Sequence, residues 1–212
     1  MRFDPRKRGP GVLISAEFVT SASGADDFPR QRLAEVALVG RSNVGKSTLL
    51  NALMRQSLAR TSAAPGKTRL ANFYRVKRGA APALFLVDLP GYGYARGGDA
   101  SAREFNRLAE AYFSGIRDRG SPVPIGVLLL VDSRHPGLES DMDAWRWLQG
   151  QPWPHAVIGT KVDKLTRAER ARHGREFTTL FDIPVPLISA HTGEGLDELW
   201  KMIASLPKAT AA

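Results

Sequence analysis

No cysteine occurs among the 212 residues, so neither a disulfide nor a thiolate-held zinc can support this fold. A reducing compartment, the cytoplasm, is the natural expectation. Long apolar runs are lacking too: the longest, Val127 to Val131, is far too short to span a bilayer. The opening stretch, Met1 to Arg8, has no apolar run behind it, so a secretory leader is not expected. Acidic groups are scarce beside basic ones, 21 against 30, which leaves a net charge of +9. A surplus of that size suits a polyanionic partner. With no amphipathic basic helix standing out, RNA is expected rather than a membrane, and nothing points to DNA.

What is present reads as one soluble domain, 43% apolar and 24% charged. Residues 1–11 form a basic head carrying Arg6-Lys7-Arg8, and residues 207–212 a short tail. Between them, over 12–206, short apolar runs alternate with helical patterns. Strands are expected at 35–39, 72–77, 84–87, 125–131, 156–159 and 185–188. Helices are expected at 47–55, 102–116, 138–148, 167–177 and 196–203. Val12 to Ile14 and Glu17 to Val19 look like an extended segment packed onto the domain. The alternation implies an α/β fold whose mostly parallel sheet is covered on both faces. The pair 72–77 and 84–87 is joined too briefly for a parallel crossover and must be antiparallel.

Gly40-Arg41-Ser42-Asn43-Val44-Gly45-Lys46-Ser47 is a complete G-x-x-x-x-G-K-S between a strand and a helix. Its glycines let successive N–H groups face one anion, and the helix adds its positive end. Lys46 is the cation for β- and γ-phosphates, and Ser47 offers a hydroxyl to Mg²⁺. Asp88-Leu89-Pro90-Gly91 follows the next strand but one. Asp88 at a strand end can hold Mg²⁺ through water, and the Gly91 N–H can sense a γ-phosphate. Alone this would be an ordinary turn, but its spacing from the first motif suits one shared site.

Thr160-Lys161-Val162-Asp163 and Ser189-Ala190 each follow a strand and choose the base. A carboxylate at Asp163 accepts from both N1–H and the 2-amino group of guanine. Adenine presents no such pair, so it leaves polar groups unmatched. The Lys161 stem can lie against the base, and the Ala190 N–H can donate to O6. Finally, Pro65-Gly66-Lys67-Thr68-Arg69, with Leu70 after it, is a loop whose Thr68 can close over Mg²⁺ when a γ-phosphate is present. Thr61 is the nearest competitor for that role. Lys46, Thr68 and Gly91 are the candidate catalytic groups.

These elements, taken in this order with Tyr92-Gly93-Tyr94-Ala95 and Lys164, resemble the EngB (YihA/YsxC) family. That family sits in the TrmE-Era-EngA-EngB-Septin-like superfamily of P-loop GTPases. The resemblance implies a Ras-like six-stranded sheet with one antiparallel strand, a GTP/GDP site and Mg²⁺. It also implies a role in assembly of the large ribosomal subunit and in normal cell division and septation, as a cytoplasmic monomer. Carried over by position, the nucleotide would touch residues 40–47, 66–70, 88–91, 160–163 and 189–190. Magnesium would be held by Ser47 and Thr68.

Two departures from the commonest GTPase pattern matter. Thr160 stands where Asn is usual, so fewer bonds to the phosphate loop are expected. Tyr92 follows Gly91 where many GTPases place a water-orienting Gln, so intrinsic hydrolysis should be slow. Asn43 occupies the position from which some GTPases recruit K⁺, a possible further cofactor. Three other readings compete: a P-loop kinase or ATPase, a regulatory RNA-binding module with very slow turnover, and a septum-associated structural protein. Asp163 and the 88–91 segment argue against the first, and no polymer interface supports the last.

Overall fold

The computed structural model describes residues 12–59, 70–92, 109–110, 112–114 and 125–208. Six strands form one sheet: β1 (Ile14–Ala22), β2 (Ala34–Gly40), β3 (Ala71–Arg78), β4 (Leu84–Asp88), β5 (Ile125–Asp132) and β6 (His155–Thr160). Their order is β1-β3-β4-β2-β5-β6. β2 pairs in parallel with β4 and β5, and β5 with β6. β3 is antiparallel to both of its neighbours and so opposes the other five strands.

β5 shows why the centre of the sheet is legible. All of Ile125–Asp132 is buried, and its side chains alternate between two cores. Val127, Leu129 and Val131 join Phe73, Phe85, Trp145, Leu148, Phe177 and Phe181 on one face. Leu128 and Leu130 join Leu49, Leu53, Tyr74, Leu199, Trp200 and Ile203 on the other. A strand buried on both faces must be apolar throughout, unlike a half-exposed one. Helices α2 (Glu139–Gln149) and α3 (Arg167–Phe181) cover the first face, while α1 (Lys46–Met54) and α4 (Leu196–Ser205) cover the second. The expected stripe Leu196, Leu199, Trp200, Ile203 is the buried side of α4. α3 begins with a full capping box, Thr166 and Glu169 satisfying each other's backbone N–H.

The sixth strand is not the expected 185–188. Pro184 and Pro186 have no N–H to give a ladder, so that run makes one bridge, Leu187 to Gly159. Pro186 still accepts from Gly159 N at 2.9 Å, and Ile188 N reaches Gly159 O at 2.7 Å. The edge is supplied instead by β1, continuous from Ile14 apart from a bulge between Phe18 and Thr20. Of the expected helix at 102–116, residues 109–110 and 112–114 are described and helical. There Tyr112 donates to the buried Glu35 at 2.8 Å. Among the described residues, no helix is long and apolar enough to cross a membrane.

From β2 the chain moves to strands on one side of it, β3 and β4, and then crosses to β5 on the other. Such a reversal opens a crevice at the carboxyl ends of the strands. Gly40, Asp88, Asp132 and Thr160 end their strands at that edge.

Candidate functional site

The loop between β2 and α1 turns through two left-handed residues, Asn43 at φ 65° and Gly45 at φ 108°. Gly45 carries that angle without strain, whereas Asn43 is one of the few other residue types that tolerate it. Gly40 meets a separate demand: a Cβ there would stand 2.8 Å from Leu130 O on β5. No side chain caps α1 at Gly45. Its first turn therefore presents N–H groups outward, the arrangement that receives an anion. Across the loop, Lys46 Nζ donates to Gly40 O at 3.1 Å.

Lys46 and Asp88 face one another, both buried. Burial lowers the Lys46 ammonium, with Asp88 opposing that shift. Burial likewise pushes the Asp88 carboxyl up to about 6, against the pull of Lys46 and a hydrogen bond from Ser47. Asp88 Oδ1 is enclosed and has no hydrogen-bond partner among the described residues. After Asp88 the chain folds down onto the loop. Ser42 N donates to Tyr92 O at 3.0 Å, and a Cβ at Gly91 would lie 2.7 Å from Ser42 N. Leu89 and Pro90 are buried beneath. Glycine at 91 is thus required by backbone contact and not only by a turn.

The second half of the site lies behind this loop and holds it. Thr160 Oγ1 is 2.8 Å from Val44 O and 3.2 Å from Val131 O. One hydroxyl proton can serve only one of them at a time, as expected of Thr in place of an amide. Lys161, left-handed at φ 61°, donates to Asn43 O at 2.6 Å and Asp132 Oδ2 at 2.8 Å. Its stem passes Gly45, with Cε 3.7 Å from where a Cβ would be. Val162 is buried and opens a short 3-10 turn that carries Asp163. Ser189 Oγ donates to Asp163 Oδ1 at 2.6 Å and accepts from His191 N and Thr192 N. Ala190 follows Ser189 at the rim.

Sequence reasoning missed two groups. Asp132 sits opposite Thr160 in the β5–β6 register, bound by Arg134 Nε at 2.9 Å and Nη2 at 2.7 Å and by Lys161. Burial would raise its carboxyl, but those hydrogen bonds outweigh it and hold the group well below the usual range. The available signal was a carboxylate ending a buried strand, the pattern already noticed at Asp88. Asp141 of α2 is the other: buried, it accepts from Tyr92 OH at 2.9 Å, with Arg41 close enough to stabilise its charge. Burial, then Asp141, drives the Tyr92 phenol up. That hydroxyl is engaged by α2.

Of the expected site residues, Gly40 to Ser47, Asp88 to Gly91, Thr160 to Asp163 and Ser189-Ala190 meet at one edge. Leu70 is 38% exposed and directly precedes β3, whose Asn72 pairs with Asp88 at the same edge. Gly66, Lys67, Thr68 and Arg69, with Thr61, lie outside the described residues, as do Gly93, Tyr94 and Ala95. No group of three or more His, Asp or Glu side chains suited to a metal occurs among the described residues.

A mostly parallel sheet with one reversed strand, a G-x-x-x-x-G-K-S loop after its first parallel strand and Thr160-Lys161-Val162-Asp163 after its last is the arrangement of a P-loop GTPase. A family model described as "50S ribosome-binding GTPase" matches residues 35–161. A protein of Pelotomaculum thermopropionicum named "Probable GTP-binding protein EngB" is 44% identical over 200 residues, covering 90% of this chain and 94% of its own. The chain belongs to the EngB family of GTP-binding proteins and is a GTPase. Two crystal structures share the fold. Era of Aquifex aeolicus bound to GDP and AlF4⁻ superposes with TM-score 0.67 at 23% identity, over 83% of this chain and 57% of Era. A probable GTP-binding protein engB gives 0.58 at 22%, over 82% and 99%.

Proposed function

We propose that this GTPase assists assembly of the large ribosomal subunit in the cytoplasm, binding the particle in one nucleotide state and leaving it in the other. The packing of Asp88–Tyr92 directly on the phosphate loop carries this reading. Whatever fills the loop also sets the position of Gly91 and, through Tyr92, its bond to Asp141 on α2. The match to a family model described as "50S ribosome-binding GTPase" supports this choice of partner. A septation defect is then a consequence of failed assembly and not a direct act.

In this reading the nucleotide phosphates take the outward N–H groups of the loop and Lys46. Asp163 reads guanine beside Lys161, Ser189 positions Asp163, and the Ala190 N–H meets O6. Mg²⁺ fits the described residues: the Ser47 hydroxyl would be a direct ligand and the unpartnered Asp88 Oδ1 would suit a metal-bound water, with Thr68, outside the described residues, expected as a second ligand. When bound, Mg²⁺ neutralises charge between the β- and γ-phosphates. Lys46, Thr68 and Gly91 stabilise charge on the transferred phosphoryl oxygens. K⁺ near Asn43 would add positive charge there. Hydrolysis should then rise several-fold in K⁺ over Na⁺ at equal ionic strength, and an equal rate in the two salts removes the ion from the scheme.

The test of the whole reading is co-sedimentation of the protein with purified large subunits in a non-hydrolysable GTP analogue and in GDP. Binding in the first and much weaker binding in the second is expected. Equal affinity in both defeats the switch. By linkage, subunits must tighten the favoured nucleotide by the same factor.

A further inference from the structure

The three longer helices differ in what they show to solvent. α2 exposes Glu139, Asp143, Arg146, Trp147 and Gln149, and α4 exposes Asp197, Glu198, Lys201, Ala204 and Ser205. Both mix signs. α3 buries His173, Phe177 and Phe181, and its opposite side carries Arg167, Arg172 and Arg175 among Ala168, Ala171, Thr178 and Thr179. Arg167, Ala171 and Arg175 follow at successive helical turns, with Ala168 and Arg172 alongside. The carboxylates lie at the margins: Glu176 on one side, and Glu169 spent on the Thr166 cap with Arg172 near it. Arg167 and Arg175 form no ion pair among the described residues, whereas Arg170 on the flank is matched by Glu194 at 2.7 Å.

Arg172 is also oriented. Its Nη2 lies 3.1 Å from His173 Nε2, while His173 Nδ1 lies 2.8 Å from Ser133 O. With Nδ1–H donating inward, Nε2 is left as acceptor for the guanidinium. The arginine therefore stands on a support that is anchored to the end of β5.

We infer that this face of α3 is a phosphate-binding surface for RNA, the dock by which the chain holds ribosomal RNA, separate from the nucleotide edge. The inference rests on the ribosomal reading above for the source of that RNA. Three guanidiniums spaced over about 12 Å of helix axis match a polyphosphate strand, which Arg binds through forked N–H pairs. Alanine and threonine between them keep the surface low enough for a backbone to approach. A membrane is a poor fit, because interfacial helices insert large apolar side chains and this face has none. The net charge of +9 supplies long-range attraction of the same sign.

The experiment uses the full chain with Arg167, Arg172 and Arg175 all changed to Ala, and a second variant with all three changed to Lys. Alanine favours helix, so the fold should persist, and unchanged GTP affinity checks it. Binding to large subunits, to protein-free large-subunit rRNA and to anionic-lipid vesicles is titrated across salt concentrations. Each lost phosphate contact should lower the slope of log affinity against log salt by about 0.7–0.9. The Ala variant should therefore lose about two in slope and at least about tenfold in affinity at physiological salt, with the Lys variant close to the parent. Parental slope and affinity in the Ala variant would overturn the inference. So would a loss seen with intact subunits but not rRNA, which would mark an acidic protein as partner. A loss confined to anionic-lipid vesicles would do the same in favour of a membrane. If the parent chain fails to bind subunits at all, the assembly reading falls, and the protein-free rRNA titration still decides for or against this face.

Discussion

The two halves of the nucleotide edge are finished to different degrees. In the base-reading half the polar groups answer one another: Asp132 with Arg134 and Lys161, Ser189 with Asp163, Thr160 with the back of the phosphate loop. In the phosphate half, Lys46 rests on a backbone carbonyl, Asp88 Oδ1 has no partner among the described residues, and α1 begins without a side-chain cap. Burial presses Lys46 and Asp88 toward their neutral forms. If this half reads the base as proposed, it can reject the wrong one without rearranging. A phosphate half that is completed by its ligand gains most from the ligand's charge, and so can report which ligand is there.

The comparison predicts where mutations should hurt. Lys46→Ala should be most severe, because it removes the side-chain cation from a buried charged contact; such truncations cost about 2–5 kcal/mol. Isothermal titration should show GTP affinity reduced at least about 30-fold, and parental affinity would break the assignment of the phosphate half. Asp163→Asn comes next. It replaces an acceptor with a donor suited to a 2-oxo purine, so preference should move from GTP toward XTP by about 100-fold or more. Competition with labelled nucleotide measures this, and an unmoved preference would mean that the reader lies elsewhere.

Asp132→Ala sharpens the contrast, since Asp132 need touch no nucleotide. It frees Lys161 and Arg134 at once and should lower stability by about 1.5–3 kcal/mol, the range for hydrogen bonds to a charged group. Guanine affinity should fall by roughly tenfold as Lys161 loses its tether. Thermal melting and titration together check it; a stability loss with intact affinity would make Asp132 a purely structural residue.

Asp88 gives the gentlest test. Its carboxyl is raised from 3.8 to about 6, so the native state of the nucleotide-free chain holds that proton more tightly than the unfolded state. The group's contribution is fully present below about pH 4 and lost as pH rises through about 6, amounting to at most about 3 kcal/mol. Melting curves of the free chain should show this decline, and Asp88→Asn should remove it. A flat profile in the parent would mean that Asp88 is already satisfied.

Most of the edge was legible because each motif follows a strand and carries its own geometry. Gly40 to Ser47, Asp88 to Gly91 and Thr160 to Asp163 all stand where the spacing placed them. Pairing across the sheet was harder to see. Val185 to Ile188 has strand-like side chains, but Pro184 and Pro186 limit its ladder, and β1 takes the edge by pairing with β3, 49 residues (Ala22 with Ala71) to 64 residues (Ile14 with Arg78) further along the chain. Asp132 escaped notice because its partners are Arg134, nearby, and Lys161, just past the end of another strand. The arginines of α3 were hidden in a helix whose mean composition is unremarked; only the burial of His173, Phe177 and Phe181 shows that they share a face.

The bonds from Thr160 to Val44 and from Lys161 to Asn43 have one more consequence. They fasten the segment that leads into Asp163 to the phosphate loop at two adjacent points, which opposes separation of the two. If Asp163 reads guanine as proposed, the site would work as a caliper, and discrimination among guanosine, GMP and GDP is expected to depend on length as well as charge.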